Sequence, residues 1–221
     1  MRRFAFVSLL FVVAEALIGA GLVRFEWVAS NVSEARVYVM ALHLVNTFLL
    51  LAAMTLTAWF AGRDGAVVRS TSPRIVAPSA GALIAVLVLG ASGAVTALGD
   101  TLVFTAGIAP GESPLVARLV STRFYHPSIA VAVFIVVLGV VLWLRPRVGP
   151  PARRYGLMGL AVFGAQLLLG AVNVFLKAPV WMQLVHLGAA DLLWILLVLM
   201  TAEALTSARA DSPSASSSDS R

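Results

Sequence analysis

Residues Pro127-Ser-Ile-Ala-Val-Ala-Val-Phe-Ile-Val-Val-Leu-Gly-Val-Val-Leu-Trp-Leu144 run for eighteen positions without a charge and stop at Arg145-Pro146-Arg147. A helix of that length, at about 1.5 Å per residue, nearly crosses the ~30 Å hydrocarbon core of a bilayer. A backbone in lipid must bond its own N–H and C=O groups, so the run is read as a helix. Working outward, five more segments share its character: Phe4 to Val23, Val37 to Phe60, Ile75 to Leu98, Tyr155 to Phe175 and Val180 to Leu205. The composition agrees. Sixty per cent of the residues are hydrophobic and 12% charged, with a mean hydropathy of +0.96, where a soluble domain carries about a quarter charged residues. The expected fold is all-α, an integral membrane helical bundle of about six transmembrane helices whose internal glycines mark close packing.

The charges sit between the spans. Arg2, Arg3, Arg63, Arg69, Arg74, Arg145, Arg147, Arg153, Arg154, Arg209 and Arg221 fall on one side, against Arg24, Arg36, Arg118, Arg123 and Lys177 on the other. The positive-inside rule then puts both termini in the cytoplasm. The net charge of +6 reflects this flanking pattern, with no basic stripe or interleaved exposed aromatics of the kind that bind nucleic acid. Arg2 and Arg3 before an apolar run also suit a signal peptide, but Glu15 interrupts the run and no clear small-x-small cleavage site follows, so the segment is read as a helix. Residues 206–221 are polar and Ser-rich and are expected to form a disordered cytoplasmic tail. The chain has no cysteine, which removes disulfides, iron–sulfur clusters and thiolate ligation and leaves histidine as the strong metal ligand.

The stretch Glu15-Ala-Leu-Ile-Gly19-Ala20-Gly-Leu-Val23 aligns with Gln166-Leu-Leu-Leu-Gly170-Ala171-Val-Asn-Val174, and a histidine, His43 or His186, follows each. The repeating piece is a Gly-Ala helix, an outer loop and a histidine-bearing helix. In the second copy two further helices precede the pair, giving a complete four-helix unit over 75–205, while 1–60 holds a partial repeat of two helices. His43, His126 and His186 are expected at one depth near the outer face, with His126 at the entrance of its helix and Pro127 in the first turn, where proline is well tolerated. Haem ligation by two histidines asks for imidazoles on facing helices at matching depth, and His126 with His186 meets that requirement; interfacial or hydrogen-bonded histidines are the other reading. His43 is a third possible ligand without an evident partner. Glu15 is either functional or a polar contact shared with its repeat mate Gln166, and the contact is favoured. Asp191 can orient a ring or bond across helices, Asn46 and Asn173 equally serve as helix–helix contacts, and Trp181 reads as a belt residue. Arg123 either pairs with a haem propionate or is a solvated loop charge.

Four stretches carry a family resemblance: Ala41-Leu-His43-Leu-Val-Asn46-Thr47, Gly90-Ala-Ser-Gly93-Ala-Val-Thr-Ala-Leu-Gly99-Asp100-Thr101, the pair His126-Pro127, and Ala178-Pro-Val-Trp181-Met-Gln-Leu-Val-His186-Leu. Together they resemble haem A synthase, over nearly the whole chain up to the tail. The resemblance implies a bacterial inner-membrane oxidoreductase that converts the methyl group of haem O to the formyl group of haem A for terminal oxidases. It implies haem b held by His126 and His186, and His43 as one of two histidines of a first bundle where the haem substrate, haem O, is oxidised. Haem O synthase, terminal oxidase assembly or a second copy of the chain are the partners it suggests, besides membrane lipid. Against the family's eight helices the first two are expected to be missing, with the second histidine of the first bundle and a nearby glutamate. A membrane b-type haem-binding or electron-transfer subunit without synthase activity is the alternative. A small-solute transporter fits less well, since few polar residues lie within the spans.

Overall fold

In the computed structural model, which describes residues 2–63 and 72–207, every regular element is helical: α1 (Arg2–Arg24), α2 (Glu34–Ala61), α3 (Pro73–Asp100), α4 (Pro114–Leu144), α5 (Pro150–Phe175) and α6 (Val180–Ser207). All six are long and apolar enough to cross a membrane. The tail beyond Ser207 lies outside the described residues.

Local chemistry sets the helix starts. Ser33 caps α2 by accepting from the Arg36 N–H, Ser113 caps α4 by accepting from the Val116 N–H, and Pro73, Pro114 and Pro150 take first-turn positions where no N–H is needed. Glu26 and Lys177 both take left-handed backbone angles (φ 57° and 61°) just after α1 and α5. They are separated by the same 151 positions as Gly19 and Gly170, so the repeat extends into its turns.

The helices pack as a ring and an appendage. α3 meets α4, α4 meets α5, α5 meets α6 and α6 returns to α3; α2 lies against α3 and α6, and α1 lies on α2. The main core joins Phe48, Val86, Val133, Val137, Phe163, Trp194 and Leu197. Phe48 stacks on Trp194 with ring centroids 5.3 Å apart, and the Trp194 Nε1–H donates to the Phe48 carbonyl at 2.6 Å. Leu17, Ile84, Ile135 and Leu168 point outward. Large exposed aliphatic side chains around a whole bundle are the surface that lipid, not water, solvates.

The α3 and α4 boundaries differ from the sequence expectation. α3 continues past Leu98 into a π-helical turn, Thr101–Thr105, and α4 begins at Pro114 instead of Pro127. His126 therefore stands twelve residues inside α4, not at its entrance, and Pro127 is an internal proline. The reason is the Ser113-Pro114 start signal, which outcompetes Pro127, together with burial of the extension. Leu98, Leu102, Val116 and Leu119 form a second small core there, and Gly99 approaches Leu119 so closely that an added Cβ would lie 3.0 Å from its Cβ. Thr96 Oγ1 donates to Thr122 Oγ1 at 3.0 Å across the same seam.

Candidate functional site

His126 on α4 faces α3. Its ring lies over Gly93, where an added Cβ would sit 3.1 Å from Cε1, so the missing side chain is the room the imidazole uses. Its Nδ1 is 2.9 Å from Ser92 Oγ, and Ser92 Oγ in turn donates to the Leu89 carbonyl at 2.7 Å.

His186 on α6 repeats the arrangement against α5. Its ring lies over Gly170, with an added Cβ 3.2 Å from Cε1. Gln166, one turn from Gly170, donates through Nε2 to the His186 carbonyl at 2.8 Å. The buried Nδ1 of His186 has no protein partner, and neither do Gln166 Oε1, Asn173 Oδ1 or Asp191 Oδ1. α4 and α6 are diagonal members of the ring.

His43 sits in a different setting. Its Nδ1 is 3.3 Å from Glu15 Oε1, outside hydrogen-bonding geometry, and the same carboxylate accepts from Asn46 Nδ2 and from Thr47 Oγ1, both at 2.5 Å. Asn46 also donates to the Phe11 carbonyl at 3.1 Å. Glu15 is thus a junction between α1 and α2. This is the helix–helix contact expected of it, with a histidine added. The cluster is partly open, with 31% of the His43 side chain and 25% of the Glu15 side chain exposed, and Gly19, the repeat mate of Gly170, has nothing within 4 Å of an added Cβ. The repeat therefore brings equivalent residues to two sites but closes only one.

Arg123 is not a loop residue. It lies on α4 one turn from His126, its Nε donates to Asp100 Oδ1, and its guanidinium rests 4.6 Å from the Phe104 ring centroid on the π-helical turn. Its Nη2 is buried and free of protein partners, so the group is anchored on one side and keeps a donor on the other. Trp181 lies exposed at the start of α6.

Sequence reasoning did not single out Ser92, Gly93, Gly170 or Asp100 as site residues, although all but Gly170 lie in the longest of the family-like stretches and Gly170 in the repeat. Their roles depend on which helix faces which. Among the described residues no group of three or more His, Asp or Glu side chains is placed to hold a bare metal ion. A haem brings four nitrogen ligands of its own and asks the protein for one or two.

Six apolar helices with a lipid-facing exterior define the class: a multi-pass membrane protein. Residues 1–198 match the COX15-CtaA family of cytochrome oxidase assembly proteins, and the chain belongs to that family, the haem A synthase family. It is 46% identical over 213 residues to proteins of two Thermus thermophilus strains, both named protoheme IX farnesyltransferase, an overlap that covers 90% of this chain and 34% of each of theirs. The chain thus spans about a third of the length of these curated relatives. No solved structure matches it.

Proposed function

We propose that the chain holds haem b between His126 and His186 and takes part in haem A biosynthesis, at the step that oxidises the haem O methyl group to the formyl group of haem A. The observation that carries the reading is the pair of imidazoles on diagonal helices, each seated over a glycine of the neighbouring helix. The residues fit the group. Two imidazoles would suffice as the protein's ligands to it, the glycines give the rings room, and the orphaned His186 Nδ1 belongs to a ring not committed to a protein acceptor. Bound haem supplies one-electron redox chemistry; the protein's part is to hold and orient it. Arg123, held by Asp100, offers its free Nη2 to a propionate. His43, beside Glu15, is the candidate contact for the haem substrate. The relatives' name describes farnesyl transfer to protohaem, whose product is the kind of haem this step would consume. Their other two-thirds leaves room for that transferase activity outside the portion matched. Haem O synthase and terminal oxidase assembly are the partners this implies, in a bacterial cell membrane with both termini cytoplasmic.

The test is an absorption spectrum of the detergent-purified chain, oxidised and reduced, with pyridine haemochrome quantification. A low-spin b-type spectrum is expected in the wild type and its loss in His126→Ala and His186→Ala; a folded wild type without haem would sink the reading. Addition of haem O then separates a synthase from a b-type haem-binding or electron-transfer subunit. The second reading has its own support, because the only three histidines of the chain leave His43 beside a carboxylate and not opposite another imidazole.

A further inference from the structure

We propose that Ser92 is a positioning residue for His126, fixing the imidazole as the Nδ1–H tautomer so that Nε2 keeps the lone pair that meets iron. The inference rests on the haem reading of the site and adds to it the residue that sets the ligand's protonation and electron donation.

The argument is a count of protons. A serine hydroxyl carries one hydrogen and accepts through its lone pairs, and a neutral imidazole carries one N–H and one bare nitrogen. Ser92 Oγ makes two contacts, to the Leu89 carbonyl at 2.7 Å and to His126 Nδ1 at 2.9 Å. A carbonyl oxygen can only accept, so the Ser92 hydrogen goes to Leu89. Ser92 then has only a lone pair to offer His126, and Nδ1 must donate. The single N–H of the neutral ring is thereby spent, and Nε2 is left bare. Gly93, the next residue, supplies the space in which the ring lies; the Ser92-Gly93 dipeptide holds both the orientation and the tautomer.

His186 has no such device, since its Nδ1 is buried without a protein acceptor. The two ligands of one haem are therefore inequivalent. His126 is tuned by a hydrogen bond that pushes electron density toward Nε2, whereas His186 is placed by packing over Gly170. An axial ligand that donates more strongly favours the ferric state, so the Ser92 contact lowers the potential of the haem. Outer-shell partners of this kind contribute roughly 10–100-fold to metal affinity.

The experiment compares full-length wild type, Ser92→Ala and Ser92→Thr in detergent, each purified with haem. Haem retention against apomyoglobin, the midpoint potential and the low-spin electron paramagnetic resonance spectrum are read. Ser92→Ala is expected to release haem about tenfold faster or more, with a raised midpoint and altered g-values, and Ser92→Thr, which keeps the hydroxyl, to return all three toward wild type. Ser92→Ala indistinguishable from wild type would overturn the proposal. So would Ser92→Thr failing as Ser92→Ala does, because the effect would then be packing. A wild type that carries no haem, or keeps it in His126→Ala, fails the underlying reading instead, and the wild-type and His126→Ala spectra reveal this before the Ser92 variants are compared.

Discussion

A glycine under an imidazole is a small feature with a large consequence for a planar cofactor. At Gly170 an added Cβ would stand 3.2 Å from His186 Cε1, and a branched side chain would have to displace the ring. Gly170→Val is therefore expected to cut haem content at least tenfold while leaving the helical circular dichroism and the gel-filtration profile unchanged, with Gly19→Val as the comparison, since nothing lies within 4 Å of that position. Equal haem loss in both variants would show that the seat does not matter. At this scale the sequence was partly legible. His126 and His186 stood out because a polar, ligand-grade side chain among apolar residues is costly and rare. Ser92, Gly93 and Gly170 did not, because serine and glycine are common in packed membrane helices, and only the facing helix reveals what they touch. Arg123 shows its charge in the sequence, but its partner Asp100, on the preceding helix, follows only from the α3–α4 seam.

Helix identity was easier to read than helix length. All six spans were recognised from uninterrupted apolar runs, since lipid demands helices there. The ends of α3 and α4 are less legible, because Arg118, Arg123, Gly107 and Pro110 resemble a loop and the extension is held by a few contacts between two helices that no single-helix pattern displays. One consequence is the internal Pro127, which cannot donate to the Arg123 carbonyl one turn earlier. Pro127→Ala restores that donor and is expected to raise the thermal midpoint of the protein in detergent, by an amount within the ~3 kcal/mol a helix-interior proline costs; a lowered midpoint would mean that the freed carbonyl has a use. At the opposite end, Glu203 is buried on α6 and accepts from Trp59 Nε1 at 3.1 Å and from Arg63, tying α2 to the ring. Glu203→Leu leaves both donors without that acceptor. It is expected to lower the thermal midpoint, the loss falling on the α2–α6 contact and detectable as faster hydrogen exchange in α2.

For the molecule as a whole, the distribution of positive charge makes the orientation testable. In the proposed orientation eleven of the sixteen basic residues share the side of the termini, and the absence of native cysteine allows single-cysteine reporters without a background. In intact cells an impermeant maleimide is expected to label Gly111→Cys, in the α3–α4 connection, and to spare Ser212→Cys until the membrane is opened; the reverse pattern would invert the topology. The all-α bundle was legible from composition. What composition could not convey is that α3 to α6 close a ring, while α1 touches chiefly α2.

The Glu15 junction also bears on how the chain is made. An acidic residue near the centre of a solitary spanning helix costs on the order of 3 kcal/mol to insert, and α1 offers Glu15 no partner of its own. The groups that satisfy it, Asn46 and Thr47, are on α2. Taken alone, α1 is therefore poorly suited to enter the bilayer. It is best retained by the insertion machinery until α2 has been synthesised as far as Thr47, so that the two pass into lipid as one preassembled hairpin.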